Sequence, residues 1–124
     1  MQITAEELRK KIDNKLQTIS CLQKFYIGKT NNLGNTRARH EREGYTSTTP
    51  IAKGNYDIVS KTEEALIHFF QKTSIMKDKN ANKSPYSVGN DTADTIYVSI
   101  MISPQRDIEL DDDDINWPEI YQLK

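Results

Sequence analysis

The side chains of this sequence whose types and spacing could do chemistry lie in one region: Tyr26 and Lys29 around Gly28, then Arg37, Arg39, His40 and Arg42, then Glu63. Guanidinium groups present planar donor forks that match phosphate or carboxylate oxygens. Imidazole changes charge near neutral pH. A single carboxylate can hold a hard divalent cation that keeps several of its waters. A tyrosine hydroxyl can move a proton when a cation lies close by, and Lys29 stands beside the turn that follows Tyr26. Each residue also has a plainer use. Tyr26 can pack with Phe25, the arginines can pair with Glu41 and Glu43 along a helix face, and Glu63 stands where it completes a capping box with Ser60.

Charge distribution points the same way as the residue types. The net charge is -1, yet residues 1–106 carry 16 Lys/Arg against 11 Asp/Glu while residues 107–124 carry 1 against 7. A basic body suits an anionic partner, and the acidic tail can stay solvated, cover the same surface or dock on a basic protein partner. The length of 124 residues fits one domain, divided as a body over 1–106 and a tail over 107–124. No apolar run approaches the roughly 20 residues of a membrane helix, and the first residues lack a secretion signal, so a soluble cytoplasmic protein is expected. The single cysteine, Cys21, excludes an internal disulfide and is expected as a buried thiol.

The elements that must position these side chains can be read from pattern. Thr4 and Glu7 form a capping box, with Ile3 and Leu8 placed for a hydrophobic staple. A helix from Ala5 then carries Leu8, Ile12, Leu16 and Ile19 on one stripe. Lys24-Phe-Tyr-Ile-Gly-Lys reads as a strand leaving into a turn-rich loop, followed by a helix after Asn35 that stops near Gly44. Residues 45–53, rich in Thr and holding Pro50, read as loop or edge, and residues 55–59 as a second strand. Ser60 starts a further helix to about Thr73, and residues 76–94 read as a long loop. Thr95-Ile-Tyr-Val-Ser-Ile-Met-Ile is the strongest strand. In the tail, the stretch from Trp117 to Tyr121 supplies apolar anchors. The expected fold is α/β of the α+β kind: a small, mainly antiparallel sheet of about three strands flanked by helices.

Phe25-Tyr-Ile-Gly-Lys-Thr-Asn-Asn-Leu resembles the second half-motif of the GIY-YIG endonucleases, and the likeness extends over about residues 24–70. By that resemblance Tyr26, Arg37 or Arg39, His40 and Glu63 would surround a scissile phosphate, with Glu63 holding one divalent ion, Mg²⁺. Lys24, Lys29, Arg42 and Lys53 would contact the nucleic-acid backbone, DNA rather than RNA. Ten residues after Tyr26, where the family carries arginine, stands Thr36; a late family asparagine has Asn90 as its candidate. The family's first strand does not precede Tyr26. Thr95-Ile-Tyr-Val resembles it, so Tyr97 would supply the first tyrosine from the far end of the chain, in a circularly permuted order. That arrangement requires the strand at 95–101 to pair with the strand at 24–28. The implied function is metal-dependent hydrolysis of nucleic-acid phosphodiester bonds. The alternatives are a module that binds nucleic acid or a nucleotide without turnover, or an interaction protein acting through its acidic tail.

Overall fold

Thr4 starts the first helix as its side chain dictates. Its Oγ1 accepts from the Glu7 N–H at 3.2 Å, and Glu7 Oε1 accepts in return from the Thr4 N–H at 3.2 Å. The computed structural model describes residues 2–84, 92–102, 117 and 119–124. In chain order these form β1 (Gln2–Ile3), α1 (Ala5–Thr18), β2 (Leu22–Thr30), α2 (Leu33–Arg42), β3 (Ser47–Lys53), α3 (Tyr56–Lys72), a 3₁₀ turn (Lys77–Lys79), β4 (Thr95–Ile102) and β5 (Tyr121–Leu123). The sheet runs β1-β5-β3-β4-β2. β4 is antiparallel to both β2 and β3, while β5 is parallel to β1 and β3. The α+β class therefore holds, but the sheet has five strands and is mixed, not three antiparallel ones.

Four local readings are corrected. Residues 55–59 are not a strand. Asn55 caps α3 by accepting from the Ile58 N–H at 3.0 Å, which places Ser60 inside the helix and removes the expected capping box. Residues 47–53 are an interior strand. Pro50 is tolerated because the register with β4 shifts between Pro50 and Ala52, a bulge at which a missing donor costs little. Cys21 is half-buried rather than buried and takes a φ of 64°, because the α1–β2 turn needs a left-handed residue there. α2 also starts earlier than expected, at Leu33, since Asn32 accepts from the Asn35 N–H at 3.1 Å.

Alternation along β2 and β4 separates two faces. Phe25, Ile27, Ile96, Val98 and Ile100 join Leu8, Ile12, Leu16, Val59, Leu66, Ile67 and Phe70 in the main core under α1 and α3. Tyr26 pairs across from Ser99, and Gly28 from Tyr97, on the other face, where α2 lies. β2 is an edge strand whose open side is closed by side-chain mimicry of a strand. Asn82 accepts from the Ile27 N–H at 3.0 Å and donates to the Ile27 carbonyl at 2.8 Å, while the Ala81 N–H reaches the Phe25 carbonyl at 2.7 Å.

Part of the stretch read as an acidic tail enters the sheet. Tyr121 and Leu123 are buried, and Trp117 packs against the core, whereas Ile120 is exposed. Residues 107–116, including Asp111 to Asp114, lie outside the described residues. No helix among the described residues is long and apolar enough to cross a membrane.

Candidate functional site

The pairing of residues 24–30 with 95–102 brings Tyr26 and Tyr97 side by side, their ring centroids 6.2 Å apart. α2 lays His40 over both. Its ring centroid is 5.1 Å from that of Tyr26, and its Nε2 is 3.0 Å from the Tyr97 hydroxyl oxygen. Gly28 makes this possible, because a Cβ there would lie 2.4 Å from that hydroxyl oxygen. Gly44, at φ +97°, ends α2 and turns the chain so that Tyr45 stacks edge-on against His40, centroids 5.1 Å apart.

Over these rings opens a cleft of about 690 Å³, within the size range of small-ligand sites. Tyr26, His40 and Tyr45 line it, Lys24, Arg39, Glu43 and Lys83 contribute charge, and the clasped segment from Asn80 to Ser84 forms a wall. Three cations against one carboxylate favour an anion. Arg39 Nε lies 3.9 Å from Glu43 Oε1, and Lys24 Nζ sits 5.2 Å above the Tyr45 ring; both cations stay within reach of solvent.

Burial sets the proton positions. It lowers the pKa of His40 below the ordinary histidine value, Arg39 adding to the effect and Glu43 opposing it, which keeps the imidazole neutral at physiological pH. It raises Tyr26, helped by the charge of Glu63 and opposed by Arg39. Tyr45 is pushed up to about 12 by burial and by Glu43, and burial pushes Tyr97 higher still. The tyrosines are therefore hydrogen-bond donors, not ready bases. Lys29, expected to act beside Tyr26, pairs with Glu63 at 3.0 Å.

Other expected residues fall elsewhere. Arg37 spends Nε and Nη2 on the Thr48 carbonyl, at 3.1 and 3.0 Å. Thr36, at the position where the resembled nucleases carry arginine, is buried and hydrogen-bonds Thr30 at 2.7 Å. Arg42 is exposed on the last turn of α2, and Lys53 ends β3; neither lines the cleft. Asn90 lies outside the described residues.

Glu63 is fully buried, with Oε1 3.0 Å from Lys29 Nζ. The register places Lys29 opposite Ile96, on the core face rather than the face of Tyr26 and Tyr97. A Mg²⁺ ligand must share its ion with waters and substrate oxygens. A carboxylate with no exposed surface, already neutralised by an ammonium group, does not fit that role as placed. Sequence reading missed Glu43, Tyr45, Asn82 and Lys83 as cleft residues. The alternation of Asn80 and Asn82, two short side chains suited to backbone mimicry, was the available signal.

No family model, curated protein or solved structure matches the chain.

Proposed function

We propose that the cleft receives a nucleic-acid phosphodiester and hydrolyses it, in the manner of a GIY-YIG nuclease whose first strand is supplied from the far end of the domain. The observation that carries this reading is the meeting of Tyr26 from β2 and His40 from α2 in one polar cleft that also holds Arg39, with the buried Tyr97 of β4 behind them at 3.0 Å from His40. In this reading Arg39 and Lys24 neutralise the charge that grows on the phosphoryl oxygens. Tyr26, kept protonated, donates to the leaving oxygen, while His40 and Tyr97 order the floor beneath it. No step is routed through a metal on Glu63.

Specific observations favour a second reading, binding without turnover. Arg37 is committed to Thr48, and Thr36 replaces the arginine, leaving Arg39 as the one guanidinium on the cleft wall among the described residues. A nicking assay on duplex and single-stranded DNA and on RNA, in Mg²⁺ buffer, separates the two. Hydrolysis predicts cleavage that falls about 100-fold or more in Tyr26→Phe and in Arg39→Ala. A wild-type preparation that binds these substrates and cuts none of them leaves the binding module.

A further inference from the structure

His40 is 3% exposed, and its Nδ1 is enclosed without a hydrogen-bond partner. A buried polar atom left in that state costs free energy, so its surroundings call for an explanation. A charged group beside it is Glu43, with Oε2 3.8 Å from Nδ1. Glu43 is the residue that closes α2; its side chain is 52% exposed and lines the cleft. Among the described residues lining the cleft it is the only carboxylate.

We propose that Glu43 is the general base of the cleft and that His40, anchored by Tyr97, holds it in position. The proposal rests on the phosphodiesterase reading and names the one role that reading leaves open. Tyr97 is almost wholly buried and protonated, its hydroxyl oxygen 3.0 Å from His40 Nε2, and we assign the hydroxyl as donor and Nε2 as acceptor. A neutral imidazole that accepts at Nε2 carries its proton on Nδ1. That N–H faces Glu43 Oε2, and a small rotation of an exposed side chain closes 3.8 Å to a hydrogen bond. The second oxygen, Oε1, faces Arg39 at 3.9 Å. Glu43 thus has a donor facing each of its oxygens, with lone pairs left for the cleft. Its rivals are poorly placed: Tyr26 keeps its own proton, and Glu63 is buried with Lys29.

The step balances as follows. A cleft water gives a proton to Glu43 as its oxygen bonds to phosphorus; the bond to the leaving oxygen breaks, and that oxygen takes the Tyr26 proton. Solvent then carries the proton from Glu43 back to Tyr26, so that one water is consumed for each ester cleaved.

Single-turnover nicking by Glu43→Gln, beside Glu43→Asp, tests the assignment. Glu43→Gln is expected to lose about 100-fold or more in rate while binding the same oligonucleotide as tightly, with Glu43→Asp recovering part of the loss. The ¹⁵N spectrum of the His40 ring supplies a readout independent of cleavage: the wild type should show the Nδ1–H tautomer, with the Nδ1 resonance moving in Glu43→Gln. Because Glu43 is half exposed, the variant's amide spectrum should otherwise remain that of the folded wild type. Nicking that survives Glu43→Gln, or a His40 protonated at Nε2, overturns the assignment alone. A wild type that cuts nothing overturns it together with the phosphodiesterase reading.

Discussion

Gly28 has to be glycine for a reason that lies in another strand. The ring of Tyr97 crosses β2 at that point, and a Cβ would stand 2.4 Å from its hydroxyl oxygen. Gly28→Ala should therefore push Tyr97 off His40 and destabilise the protein by about 1–3 kcal/mol. Urea denaturation measures the cost, and the His40 ring spectrum shows whether the bond to Tyr97 survives. Unchanged stability and an unchanged His40 signal would contradict the crossing. At this scale the sequence was informative about residue types and less so about their partners. Tyr26, His40 and Tyr97 could be nominated from the strand motif, the following helix and the distant Thr95-Ile-Tyr-Val. Arg37 and Arg39 could not be told apart, because the choice depends on which guanidinium finds the Thr48 carbonyl, a contact made only when β3 packs beside α2.

The elements show where local pattern suffices and where packing overrides it. α1 and β4 were legible because a capping box and an unbroken β-branched run each carry their own mechanism. The start of α3 was misread because Asn55 outcompetes Ser60 as a cap, and β3 because Pro50 hides behind a bulge. Glu63 was given a cleft role by the family resemblance, yet α3 and β2 hold it against Lys29 inside the protein. Removing one partner of a buried pair leaves an uncompensated charge. Lys29→Met is accordingly expected to cost roughly 3–5 kcal/mol, and the double variant Lys29→Met/Glu63→Leu to recover much of that loss. Additive losses in the double variant, measured by denaturant unfolding, would show that the pair is not the unit that matters.

Across the whole molecule, duties are divided between the two sheet faces. One face, under α1 and α3, is the core that also takes in Tyr121 and Leu123 from the chain's last residues. No hydropathy pattern announced that strand, since β5 is three residues long and follows an acidic stretch; only its pairing with β1 and β3 defines it. The other face carries the rings, with the cationic rim above them. The basic stripe of α1 contributes nothing to that cleft. If the cleft is where phosphate binds, neutralising phosphates there must release counterions and weaken with salt.

Amide chemical-shift mapping with a short, nuclease-resistant oligonucleotide at low and high salt tests this most directly. Perturbations are expected at Lys24, Tyr26, Arg39, Glu43, Tyr45 and Asn82, weakening as salt rises. Perturbations centred on Lys10, Lys11 and Lys15, or binding indifferent to salt, would contradict it.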